Sequence, residues 1–97
     1  MVRFIVFLNL TDQGVRNVFQ TVSRADAFAE TVKKAGGTVA QQYWTTGAYD
    51  GAMVLEAPDE LIASALLAKL GSLGNVRTQT LRAYDRKEVE AIFAKAR

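Results

Sequence analysis

The sequence predicts a single α+β domain over residues 1–97, a four-stranded antiparallel sheet with two helices on one face and a short helix at the C-terminus. Three observations carry this. Strand-like and helix-like apolar periodicities follow one another as β-α-β-β-α-β, a glycine-centred hairpin joins the two middle strands, and the first strand is apolar on both of its faces. Right-handed crossovers then place both main helices on the same side of a sheet ordered 4-1-3-2, which is the ferredoxin-like sandwich.

Val2 to Leu10 (VRFIVFLNL) is rich in β-branched and aromatic residues and stops at Thr11-Asp12, so it reads as a buried strand. Thr11 can cap a helix beginning at Asp12, where an acid suits the positive end of the dipole. Gly14 stands where a capping-box Glu would be, so a break in this first helix is expected. A second start is expected at Ser23, with Asp26 three residues on. Ala25, Phe28, Ala29 and Val32 follow at helical spacing, and Gly36-Gly37 is the stop.

Thr38 to Thr45 and Tyr49 to Ala57 read as strands joined at Thr46-Gly47-Ala48, with Gly47 free to take a positive φ. Pro58 suits the first position of the next helix, with Asp59 and Glu60 in its first turn, Leu61, Ile62, Ala65, Leu66 and Leu70 along its inner face, and Gly71 at its end. Asn75 to Ala83 is the fourth strand. Asp85-Arg86-Lys87-Glu88 has the spacing of a capping box ahead of Val89, Ile92, Phe93 and Ala96. The glycines of Gly71-Ser72-Leu73-Gly74-Asn75 follow a helix and precede a strand, the reverse of a phosphate loop, and read as a turn.

Along the first strand Phe4, Val6 and Leu8 fall on one face and Arg3, Ile5, Phe7 and Asn9 on the other. The face turned away from the helices thus carries Ile5 and Phe7 and needs a cover. The expected cover is a second copy packed sheet to sheet, as in dimeric α+β barrels, which makes the chain a homo-oligomer. A domain of this length buries only somewhat over ~60% of its unfolded surface, which also favours association.

The same topology gathers the distinctive residues at one end of the sheet. The expected ligand-binding set is Asn9, Thr11, Trp44, Thr46, Gly47, Tyr49, Asp50 and Asn75. Backbone N–H groups at the start of the first helix favour a small anionic ligand, and the tyrosine and tryptophan an aromatic one. Tyr49 and Asp50 are adjacent in an expected strand and should point to opposite faces, which weakens them as a catalytic dyad. Asp50 has an architectural alternative as an acceptor of backbone N–H bonds. Tyr43 and Trp44 alternate in the same way, one toward the core and one toward a pocket or subunit contact.

With no cysteine and no histidine, thiolate nucleophiles, zinc-thiolate sites and His-based triads are excluded. Asp26 and Glu30 share a helix face with Lys33 and Lys34 nearby and read as solvated, so neither a metal nor a cofactor is expected. The net charge of +2 is scattered. Strand three, Tyr49-Asp50-Gly51-Ala52-Met53-Val54-Leu55, lacks the aromatic motif of RNA-recognition domains, so nucleic acid is not the expected partner. No apolar run approaches the ~20 residues of a membrane span, and Val2 to Leu8 lacks the flanks of a signal peptide; a cytoplasmic protein is expected.

Gly47-Ala48-Tyr49-Asp50 resembles the Gly-x-Tyr-Asp signature of the GYD domain family, small proteins whose biochemical role is largely unassigned. The resemblance extends through Leu10-Thr11-Asp12-Gln13-Gly14, Arg24-Ala25-Asp26-Ala27-Phe28, Tyr43-Trp44-Thr45 and Gly74-Asn75-Val76-Arg77-Thr78. It implies the fold and oligomerisation and brings no established reaction with it. Two functions remain open: a small-molecule-binding or oligomeric accessory protein with its site near the 44–50 hairpin, and a cofactor-free isomerase or oxygenase of the dimeric α+β barrel type using Tyr49 and Asp50.

Overall fold

In the computed structural model, which describes residues 1–97, strands β1 (Val2–Leu10), β2 (Thr38–Trp44), β3 (Gly51–Ala57) and β4 (Val76–Ala83) form one antiparallel sheet ordered β2-β3-β1-β4. This is the expected order read from the other edge. β1 pairs with β3 on one side, Phe4 opposite Leu55, and with β4 on the other, Ile5 opposite Leu81. Helices α1 (Asp12–Arg16), α2 (Thr21–Lys34), α3 (Glu60–Ser72) and α4 (Arg86–Ala96) complete the chain, with a 3-10 turn at Val18–Gln20. No helix is long and apolar enough to cross a membrane.

The first helical segment is broken, as expected, though not through Gly14 but at Asn17. Its backbone N–H and its side-chain Nδ2 both donate to the Gln13 carbonyl, so the side chain competes for a helical acceptor and the turn is not propagated. Ser23 is not the start of α2. The helix begins two residues earlier, at Thr21, and the Ser23 hydroxyl donates to the Gln20 carbonyl from within it. Pro58 likewise precedes the helix it was expected to open: Asp59 is the cap, its carboxylate accepting the Ile62 N–H at 2.8 Å, and α3 begins at Glu60. The capping box of α4 forms as its spacing predicts, with Asp85 and Glu88 each accepting the other's backbone N–H.

The connection between β2 and β3 is longer than expected. The strands end at Trp44 and resume at Gly51. The six residues between them are closed by the Thr45 N–H to the Asp50 carbonyl, 3.0 Å, and the Thr45 hydroxyl to the Tyr49 carbonyl, 2.6 Å. Gly47 at the tip has a φ of +111°, as the turn requires.

Phe4 and Val6 of β1, Met53, Leu55 and Ala57 of β3, Val32 of α2 and Ala63 and Leu66 of α3 make up the buried core, all between the sheet and the helices. The opposite face stays open: Ile5 is 39% and Leu81 48% exposed. α4 is joined to this side of the molecule through Arg3, whose guanidinium lies 3.1 Å from Glu88 and 3.5 Å from Glu56, and it buries none of its own residues.

Two glycines make opposite predictions from one chemistry. A Cβ on Gly14 would stand 2.0 Å from the Asn75 carbonyl oxygen, a backbone atom that cannot turn aside, whereas one on Gly71 meets nothing within 4 Å. Gly14→Ala should therefore destabilise the fold by about 1–3 kcal/mol despite the better helix propensity of alanine. Gly71→Ala should stabilise it by about 0.5 kcal/mol. Urea unfolding of the two variants beside the parent measures both.

Candidate functional site

At the end of the sheet where β1 stops, the chain builds a cavity of about 400 Å³ between α2, α3 and the helix-facing side of the sheet. Its walls are mainly apolar, with Leu8 and Met53 from the sheet, Phe28 from α2 and Leu66 and Leu70 from α3. Arg24, Gln42, Asp50, Lys69 and Asn75 add polar groups. That volume falls in the ~300–1,000 Å³ range of small-molecule sites, and an apolar wall with a few polar groups is their usual make-up.

A register shift in β2 decides which aromatic enters the cavity. Val39 pairs with Leu55, but Gln41 pairs with Val54, so one residue is extra at Ala40 and the alternation changes phase. Gln42 and Trp44 then lie opposite Met53 and Gly51, on the helix-facing side, while Tyr43 lies opposite Ala52 on the open face. Trp44 lines the cavity, and its indole N–H donates to the Thr21 hydroxyl at 3.1 Å, tying β2 to the first turn of α2.

The Tyr49-Asp50 pair divides between the two faces, as adjacent residues should, although both stand just before β3 rather than within it. Tyr49 stacks on Phe7 with ring centroids 4.6 Å apart and donates its hydroxyl to Gln79 at 2.6 Å, on the open face. Asp50 lines the cavity. One of its carboxylate oxygens accepts the Leu10 N–H at 2.8 Å, and its own N–H donates to the Leu8 carbonyl. The architectural role considered for Asp50 is thus occupied, and no catalytic dyad forms.

The remaining expected site residues scatter around this point. Asn75 lines the cavity, its side chain accepting from Gln13 and its carbonyl from the Thr11 N–H. Thr11 caps α1 through the Gly14 N–H and donates its own hydroxyl to the Gly74 carbonyl. It borders a second, more open and more polar depression with Gln13, Gly74 and Arg77. Asn9 shares the open sheet face with Phe7, and Thr46 and Gly47 stand at the exposed hairpin tip, away from the cavity wall. At the start of the first helix, where an anion position was expected, α1 has five residues and the Thr11 side chain takes the Gly14 N–H.

Sequence reasoning missed Arg24, Phe28, Gln42 and Lys69 as wall residues. Arg24 and Phe28 sit in a segment that carries the family resemblance, but their spacing alone reads as an amphipathic helix. Asp50→Ala should cost about 1–2 kcal/mol because the Leu10 N–H loses its acceptor. Tyr49→Phe, which keeps the stack on Phe7, should cost well under about 1 kcal/mol. Thermal unfolding of the two variants distinguishes the tie from the ornament.

Comparison with known proteins accords with this architecture. The family model described as the GYD domain matches residues 4–93. The chain is similar to the "Glutamine synthetase and cystathionine beta-lyase binding protein" of Thermus thermophilus, with 33% identity over 84 residues, covering 86% of this chain and 88% of that protein. The crystal structure of TTHA0845, also from Thermus thermophilus, is similar in fold, with a TM-score of 0.55 at 26% identity, covering 89% of this chain and 100% of that one.

Proposed function

This chain belongs to the GYD domain family, and on that premise we propose that it is a cytoplasmic accessory binding protein, one that holds a small molecule at the 44–50 end of its sheet and assembles through its open sheet face. The strand order and crossovers support a ferredoxin-like sandwich. The association we propose is sheet to sheet, in the manner of dimeric α+β barrels.

The observation that carries this reading is the uncovered face of the sheet. Ile5, Phe7, Val54 and Leu81 form an apolar band across β3, β1 and β4, flanked by the rings of Tyr43 and Tyr49 and closed at one edge by the Arg3–Glu56 ion pair. An apolar centre with aromatic groups and a charged margin is the make-up of a protein interface. Only 10 of 97 residues are buried in the isolated chain, so covering this band adds apolar burial that the fold lacks by itself. The Thermus relative is named as a protein that binds two enzymes, which supports protein partners for this chain as well. With Tyr49 and Asp50 on opposite faces and each already bonded, binding is favoured over turnover.

Sedimentation analysis tests the assembly. The parent chain should associate at micromolar concentration. Leu81→Lys, which places a charge in the apolar band of an edge strand without touching the core, should weaken that association at least tenfold while far-ultraviolet circular dichroism stays unchanged. A parent chain that sediments as a 10.6 kDa monomer at high concentration would refute the assembly.

A further inference from the structure

Arg24 is bound at one end only. Its Nη1 donates to the Asn17 carbonyl at 2.8 Å, while its Nη2 is buried without any hydrogen-bond partner. Buried polar atoms without partners are few in folded proteins, and each calls for a physical explanation. The one comparable atom here, Nε of Arg82, has the Glu60 carboxylate 3.6 Å away to balance its charge. Arg24 has no such carboxylate: it takes part in none of the ion pairs of the fold, and neither does Lys69 on α3.

Both cations line the same cavity, and the only acid in its wall is Asp50, whose carboxylate is already committed to the Leu10 N–H. The wall therefore carries one net positive charge on a mainly apolar lining that also holds the uncharged polar groups of Gln42 and Asn75. A monoanion balances that charge, whereas a phosphate dianion would exceed it. A guanidinium without an ion-pair partner suits a carboxylate in a charge-assisted contact.

We propose that this cavity binds an amphipathic monocarboxylate, an apolar chain or ring bearing a single carboxylate, with its apolar body against Phe28, Met53 and Leu70 and its head group between Arg24 and Lys69. The proposal rests on the small-molecule site of the preceding reading and names the ligand class for it. Such a ligand fills an apolar space and at the same time balances the charges of Arg24 and Lys69, which no carboxylate of the fold pairs.

Trp44 is the only tryptophan of the chain and lines the cavity, so its fluorescence reports occupancy directly. The probes are decanoate, 1-decanol and decyltrimethylammonium, titrated below their micellar concentrations. Decanoate should give a saturable change at one molecule per chain and bind about tenfold or more tightly than decanol, with the cationic amphiphile weakest. Arg24→Leu should bring decanoate to the level of decanol, and Lys69→Met should reduce the preference in part. The comparison of probes on the parent chain needs no variant. Equal binding of decanoate and decanol would overturn the carboxylate assignment and leave the cavity as a ligand site. Absence of any Trp44 response to all three would overturn the cavity as a site altogether, and sedimentation would still decide the assembly independently.

Discussion

The end of β1 is where the fold is tied. There the Leu10 N–H is taken by the Asp50 carboxylate, the Leu8 carbonyl by the Asp50 N–H, and the Thr11 N–H by the Asn75 carbonyl, while the Thr11 hydroxyl reaches the Gly74 carbonyl. The central strand thereby holds both the β2–β3 hairpin and the α3–β4 turn, connections that lie about forty and more than sixty residues further along the chain. The close approach of Gly14 to the Asn75 carbonyl belongs to the same tie, and only a residue without a side chain permits it. Because these bonds use backbone groups that would otherwise be left without partners at a strand end, they position the cavity mouth at little cost to the rest of the structure.

The sheet separates two kinds of surface. On the helix side, α2 and α3 pack against the sheet around Val6, Val32, Leu55 and Ala63 and leave a cavity between them toward the tied end. On the other side no element of the chain covers Ile5 and Leu81, and α4 leaves Ile92 and Phe93 exposed as well. The two readings of function follow this division. A small amphipathic molecule suits a concave, mainly apolar space with unpaired cations, whereas another protein surface suits a flat apolar band with tyrosines at its margin. The Gly-x-Tyr-Asp signature spans both: Gly47 makes the turn, Tyr49 belongs to the open face, and Asp50 to the tie and the cavity.

Element identity was legible in the sequence because each element carries its own short-range signal. Alternation marks β1 and β3 and the Asp85–Glu88 spacing marks α4, while the break after α1, expected from Gly14, is made at Asn17. The errors lie where one local signal gave way to another. Asp59 caps α3 although Pro58 is a good first residue, and α2 begins before Ser23 because the 3-10 turn runs directly into it. The wall of the cavity was legible only in part. Trp44, Asp50 and Asn75 could be placed at one end from topology, but Arg24 and Lys69 could not, since on a helix they look like ordinary exposed cations.

The amino-acid sequence by itself determined the order of elements, the two-sided apolar character of β1 and the exclusion of thiol and imidazole chemistry, all of which depend on residue type and spacing along the chain. Tertiary structure alone decided that the extra residue at Ala40 turns Trp44 into the cavity, that Asp50 is spent on the Leu10 N–H, and that the Arg24 Nη2 is left without a partner. The reason is physical. Hydrogen-bond satisfaction and strand phase are properties of pairings between distant segments, and no local pattern records which donor finds an acceptor and which does not.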